Sequence, residues 1–349
     1  MGGNALNFET RRIESQKEFY NLYEKIVKKL SKIGIYGCLI PFYASKESFG
    51  DMDILVNKGL NFPDNWTDKV VSAFNPKSTF KNGSCFSFDF EDFQIDLILS
   101  PSEEFSYSYN YFAYNDLGNF IGRTAHRLGF KHGHDGLWYT LRDEENPDRV
   151  VKEILVTRDY SDALEFLGFL YLRGLPKFKT PEDIFEFAAS SKYFDPKQFL
   201  LVNRSYAARV RDKKRKMYNG MLEWIRGRWP DLKDDDAPEP VDKGEHLQRA
   251  FKQFPEFENA YNEAYAQHQH TKALKQKFNG EFVALMFNEK PTGKELGNIM
   301  KELREKIERY NLEQLIIDID EAQCYNLFYN VLLKNNSYRE RDFLNSLEC

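Results

Sequence analysis

Ser48-Phe49-Gly50-Asp51-Met52-Asp53-Ile54-Leu55-Val56 puts two carboxylates at the entrance of an apolar run. Ile54, Leu55 and Val56 predict a short buried strand, bounded upstream by Gly50. Successive strand side chains alternate faces, so Asp51 and Asp53 project from the same face, about 7 Å apart. Like charges held that way repel unless a cation lies between them. Gly50 lets a ligand approach the backbone closely.

A third acid follows at the distance such a site requires. Residues 84–90 and 93–99 predict two strands around an acidic turn at Glu91-Asp92. Phe93, Ile95, Leu97 and Leu99 share one face, leaving Asp96 on the other with Gln94 and Ile98. Taken singly, Asp51 reads as a strand cap, Asp53 as an edge charge and Asp96 as a solvated residue. Taken together, on paired strands, the three offer hard oxygen ligands for two Mg2+ ions, with Mn2+ as a substitute. Two such ions can activate a hydroxyl and stabilise a leaving phosphate in an in-line displacement.

The remaining composition sets the class. With 349 residues the chain accommodates two domains, and 42% hydrophobic with 30% charged residues is the balance of a globular protein. No run of 18 apolar residues occurs, and residues 1–5 lack a charged segment leading into an apolar one. The expectation is therefore a cytoplasmic protein with no membrane partner. Met1-Gly2 with Leu6 also fails the myristoylation pattern. Cys38, Cys85, Cys324 and Cys349 form no C-x-x-C pair, which fits a reducing compartment without a zinc framework. The H-x-H pairs His132/His134 and His268/His270 read as loop and exposed-helix histidines rather than metal ligands. A net charge of -5 excludes a uniformly basic nucleic-acid binder. A local basic track is nevertheless present in Arg204, Arg209, Arg211, Lys213, Lys214, Arg215 and Lys216, with Tyr206, Tyr218 and Trp224 interleaved.

In chain order, residues 14–32 predict an amphipathic helix and 33–40 a strand, followed by a loop at 41–49. Residues 57–66 read as turn-rich and 107–114 as aromatic and irregular. Residues 119–128 predict a helix closed by Gly129. Asp135-Gly136 is a turn before a strand at 137–141, and 159–172 predicts a helix. Thr180-Pro181 marks the start of another. The Asp- and Pro-rich stretch 231–243 reads as a linker. These elements predict an α+β fold: a mixed-sheet head over 1–175 and a mainly helical, nucleic-acid-binding domain over 176–349.

The head resembles the palm of the family X (beta-type) DNA polymerases, within the nucleotidyltransferase superfamily. Residues 42–55, FYASKESFGDMDIL, are similar to the family's G-S-F-R-R-G-x-E-S-x-G-D-M-D-V-L, and FQIDLIL puts Asp96 at its third acid. Phe8-Glu9-Thr10-Arg11-Arg12-Ile13 is similar to F-E-x-R-I, which implies that Arg12 reaches the triphosphate. Residues 111–119 resemble Y-F-T-G-S-D-x-F-N. That likeness implies a Tyr111-Phe112 pair against the incoming sugar, with Asp116 and Asn119 at its base. Arg123 matches an arginine that reaches the primer-template minor groove. The likeness continues through Gly136-Leu137 and the helix at 164–171.

The departures are specific. The family's Gly-Ser falls on Ile40-Pro41 without a gap, or on Gly37-Cys38 if the loop is longer; the latter is preferred because Pro offers no N–H to phosphate. The family's Arg pair is Tyr43-Ala44 here, which leaves the triphosphate charge to Lys46, Arg12 or metal. Ala113-Tyr114 replaces the sugar-contacting Thr-Gly. In the tail, residues 277–300 resemble a helical segment near the end of CCA-adding enzymes and bacterial poly(A) polymerases. There Gly293 breaks one helix and Gly297 allows close helix contact.

The resemblance implies a two-metal enzyme of the nucleotidyltransferase class, moving a nucleoside monophosphate from an NTP or dNTP to a nucleic-acid 3′-hydroxyl. Asp51, Asp53 and Asp96 are the catalytic and metal-binding residues. Gly37, Cys38, Lys46, Arg12, Tyr111, Phe112, Asp116 and Asn119 serve the nucleotide. Arg123, Arg209, Arg211, Lys213, Lys214 and Arg215 serve the nucleic acid. The alternatives are a tRNA or RNA 3′-end nucleotidyltransferase and a nucleic-acid-binding protein whose palm has lost turnover.

Overall fold

The computed structural model describes residues 3–170, 175–287 and 290–329. Its fold is mixed α/β, and its packing divides the chain into two compact units, one ending at Asn259 and the other beginning at Ala260.

In the first unit, α1 (Gln16–Lys32) starts where Ser15 accepts the Glu18 N–H, and it buries Phe19, Leu22, Ile26 and Leu30. Strands β1 (Gly37–Leu39) and β2 (Asp51–Lys58) follow, then α2 (Trp66–Phe74) and strands β3 (Thr79–Asn82), β4 (Cys85–Phe90) and β5 (Phe93–Pro101). They form one five-stranded sheet in the order β1-β2-β5-β4-β3. Strands β2 and β5 are parallel, and all other neighbours are antiparallel. The β4–β5 hairpin turns on Glu91 and Asp92, both with positive φ (52° and 61°), as a two-residue hairpin requires. Much of the phenylalanine surplus lies beneath this sheet. Phe19 stacks on Phe49 at 4.0 Å and meets Phe93 edge-on. An isolated bridge between Ile13 and Phe49 ties the segment before α1 to the start of the Asp strand.

Helices α3 (Phe105–Phe112) and α4 (Leu117–Arg127) come next. The irregular reading of 107–114 is corrected: Tyr107 and Ser108 are buried, and burial outweighs the weak helix propensity of the aromatic residues. A three-stranded antiparallel sheet, β6 (Phe130–Gly133), β7 (Gly136–Arg142) and β8 (Val150–Thr157), leads to α5 (Tyr160–Phe166). The helix expected over 159–172 is shorter than that: it ends at Phe166, where Leu167 caps it and Gly168 takes a positive φ of 81°, while residues 171–172 lie outside the described residues. Then come α6 (Pro181–Ala189), opened by a Thr180/Asp183 capping box, α7 (Tyr206–Asp212), α8 (Lys216–Arg228) and α9 (Lys243–Gln253).

The expected boundary near residue 175 therefore moves. Phe120 of α4 sits 6.0 Å from the rings of Phe185 and Phe199 and 6.2 Å from Tyr218, so the helices after 175 share the core of the head. The 231–243 stretch is likewise no interdomain linker. Glu239 pairs with Lys197, and Asn203 donates to the Asp236 carbonyl.

Helix α10 (Pro255–Lys277) carries the chain into the second unit. There α11 (Gly280–Ala284), α12 (Gly293–Arg309), α13 (Glu313–Asp318) and α14 (Glu321–Phe328) enclose Val283, Leu303, Ile307, Ile316, Cys324 and Phe328. The expectation for Gly297 is corrected, because a Cβ there would meet nothing within 4 Å, whereas one on Gly280 would touch Leu296. Among the described residues, no helix is long and apolar enough to cross a membrane.

Candidate active site

Pairing of β2 and β5 places Asp53 directly opposite Asp96, and Asp51 opposite Gln94. Residues opposite each other in adjacent strands share a face, so all three carboxylates lie on one side of the sheet. Asp51 and Asp53 open onto a cleft of about 290 Å³ walled by Phe42, Lys46, Ile98, Phe112 and Asn115.

The electrostatics follow from crowding. Burial, reinforced by the charges of Asp51 and Asp96 and offset by Lys46, pushes Asp53 up to about 8. Burial and the Asp51 charge push Asp96 up to about 6, against hydrogen bonds from Ser87 and Gln94. Lys46 is lowered by burial, although Asp51 and Asp53 pull it the other way. Its ammonium lies 5.0 Å from the centre of the Phe49 ring. Arg12 stands close by, donating through Nε and Nη2 to the Ser48 hydroxyl (3.2 and 2.9 Å), which in turn donates to Glu14.

Four protein groups that the sequence reading assigned no role hold the acids. Gly3 N–H donates to Asp51 Oδ2 at 3.0 Å. Gln94 Nε2 donates to both Asp96 oxygens, each at 3.0 Å, and Ala5 N–H donates to Gln94 Oε1 at 2.9 Å. Ser87 faces Asp96 from β4. Gln94 was already legible on the face of Asp96; Gly3 and Ala5 left no trace, because they act through backbone N–H groups on residues 48 and 89 positions away, and a backbone group carries no residue-type signal.

Lys46 and Phe112 reach the cleft as expected. Gly37 and Cys38 do not line it. They lie in edge strand β1 opposite Val56 and Leu55, where a Cβ on Gly37 would come within 2.7 Å of the Leu55 carbonyl oxygen. That glycine serves strand packing, and Leu39, Ile40 and Pro41 line the cleft in its place.

The expected base and backbone contacts are brought together with one another. Arg215 pairs with Asp116, and Arg211 donates to Asn119 Oδ1 at 3.4 Å and pairs with Asp212. Asp116 is raised by burial despite Arg215. Tyr111 lies beside His132 and His134. Arg123 instead lines a separate cleft with His126, Gln198 and Lys243. Of the basic run, Arg204 is buried and bonded through two nitrogens to Asp212, so it is a structural residue. Lys213, Lys214 and Lys216 are exposed and Arg209 is half-buried. Because Asp212 is fully buried, Asp212→Ala strands the Arg204 charge and should cost about 3–5 kcal/mol, read from urea unfolding. A loss below about 1 kcal/mol would contradict that role.

His132 is not a loop histidine: it is buried in β6, with Nδ1 2.8 Å from the Tyr107 hydroxyl, and burial lowers it to about 3. Among the described residues no three Asp, Glu, His or Cys side chains close into a metal-ligand cluster. The carboxylates are aligned on one face, with Asp51 and Asp96 each turned toward a protein donor. No protein-family model matches the chain, and no curated protein matches it in sequence.

Proposed function

We propose that this protein is a nucleotidyltransferase with a polymerase beta-like palm, moving a nucleoside monophosphate from a nucleoside triphosphate to the 3′-hydroxyl of a nucleic acid. One observation carries the reading: Asp53 and Asp96 face each other on parallel strands, with Asp51 on the same face beside a cleft that holds Lys46. A mixed sheet with its acids on the central strand pair is what the family resemblance leads one to expect.

The donor set fits Mg2+ or Mn2+, since carboxylate oxygens are the ligands hard divalent ions select. Asp51 and Asp53 would serve both ions and Asp96 one of them. Bound there, the pair would supply charge to activate the hydroxyl and to stabilise the leaving pyrophosphate. The protein's own groups do the rest. Asp96 accepts the proton of the attacking hydroxyl. Lys46 and Arg12 face the triphosphate, standing in for the Arg pair that Tyr43-Ala44 cannot supply. Phe112 forms an apolar wall against the sugar.

The exposed cations Lys213, Lys214 and Lys216, with the half-buried Arg209, fit the backbone of the acceptor strand. Neutralising Lys213 and Lys214 together should lower the salt slope of nucleic-acid binding by about 1.5 units, measured by fluorescence anisotropy between 50 and 200 mM salt. An unchanged slope would move the acceptor elsewhere. The function itself is tested by extension assays that supply each dNTP and rNTP with primed DNA, single-stranded DNA and tRNA. Label transferred to a 3′ end supports it, and the productive acceptor separates the DNA from the RNA class. Binding of acceptor without transfer of any nucleotide would leave a protein that only binds.

A further inference from the structure

The segment Gly3–Ala5 bonds directly to Asp51 and, through Gln94, is linked to Asp96. Gly3 N–H reaches Asp51, and its carbonyl accepts from the Thr10 hydroxyl at 3.1 Å. Two residues on, Ala5 N–H fixes the amide of Gln94, whose Nε2 lies equidistant from the two Asp96 oxygens. Gln94 is 2% exposed, so this amide has no solvent alternative. Leu6 is buried and anchors the segment. The contact leaves no room at Gly3, which has φ +87°, because a Cβ would stand 2.3 Å from the Gly50 carbonyl oxygen.

We propose that the Gly3–Ala5 segment and Gln94 are positioning elements that hold Asp51 and Asp96 ready for divalent ions. The inference rests on the nucleotidyltransferase reading of the same site. Three carboxylates with one nearby lysine tend to splay apart, and each fixed N–H oriented at an outer oxygen opposes that. The two ends of the segment act on different acids: Gly3 directly on Asp51, and Ala5 through Gln94 on Asp96. Neither residue touches substrate, so their effect is on the affinity for the cation rather than on the transfer step.

The test titrates the full chain with Mn2+ alone, followed by electron paramagnetic resonance, in wild type, Gly3→Ala, Gln94→Leu and Asp53→Asn. Outer partners of metal ligands contribute about 10- to 100-fold in affinity, so Gly3→Ala and Gln94→Leu should each weaken Mn2+ binding at least about tenfold. Gln94→Asn retains an amide and should recover part of that loss. Thermal melting checks that each variant is folded; Gly3 lies outside every helix and strand and outside the buried core, so its variant tests the idea even if Gln94→Leu unfolds. Wild-type affinity in both Gly3→Ala and a folded Gln94→Leu would overturn the positioning role while leaving the metal site in place. Tighter binding on freeing the segment would overturn it too, by making the segment an inhibitor. Absence of Mn2+ binding in wild type, or its survival in Asp53→Asn, would instead count against the nucleotidyltransferase reading.

Discussion

Asp96→Asn should lower nucleotide incorporation by about three orders of magnitude while leaving the fold intact. The side chain keeps its volume, and its remaining carbonyl oxygen can still accept from the Gln94 amide, so the packing of β5 has no reason to change. What disappears is the charge opposite Asp53 and, under the proposed function, the acceptor for the hydroxyl proton. Losing about 4 kcal/mol of charge stabilisation in the transition state corresponds to about a thousandfold in rate. The measurement is single-turnover incorporation of a labelled nucleotide, with circular dichroism and melting as controls. A folded variant retaining a tenth or more of wild-type activity would remove Asp96 from the chemistry.

Asp53→Asn should stabilise the metal-free fold at neutral and higher pH. An unfolded aspartate ionises near its ordinary value of 3.8, whereas burial and the neighbouring acids hold Asp53 up near 8 in the fold. Asp96 shifts the same way, to about 6. Between those limits the folded chain retains protons that the unfolded chain has released. Stability therefore falls as pH rises from about 4 to about 8 and stays low above that window. At 1.36 kcal/mol per pKa unit, the Asp53 shift bounds the effect at roughly 6 kcal/mol; shared among coupled groups, about 2 kcal/mol is expected. In chelator at pH 8, Asp53→Asn should melt about 5 °C above wild type, with the gap closing toward pH 4. Equal melting at pH 8 would show that the carboxylates are not crowded.

Both effects trace to features written in the sequence to different degrees. The alternation of Asp51 and Asp53, the two-residue acidic turn and the face of Asp96 were all legible, because strand periodicity and hairpin chemistry are local. The parallel pairing that brings residue 96 opposite residue 53 was inferred only as a condition, and it depends on contacts across the sheet. Strands β3, β6 and β8 and helix α2 were missed. The four residues of β3 are all exposed and carry no apolar alternation. The Gly37-Cys38 assignment missed the cleft because strand pairing, which N–H chemistry alone does not reveal, uses that glycine for contact with Leu55. Asp212 was visible as the acid that breaks the basic run, yet its claim, with Asp116, on three of the seven cations was not. Asp116 lies 99 residues from Arg215 and cannot be paired with it by reading along the chain, and burial of the Arg204–Asp212 pair is a tertiary property that neighbouring letters do not carry.

The most direct measurement is anomalous diffraction from crystals of the protein grown with Mn2+ and a non-hydrolysable nucleoside triphosphate. Two peaks about 3.5–4 Å apart, bridged by Asp51 and Asp53, with Asp96 bound to one of them, are the predicted result. Density showing the triphosphate bound away from these residues, or ions held by other side chains, would contradict the account.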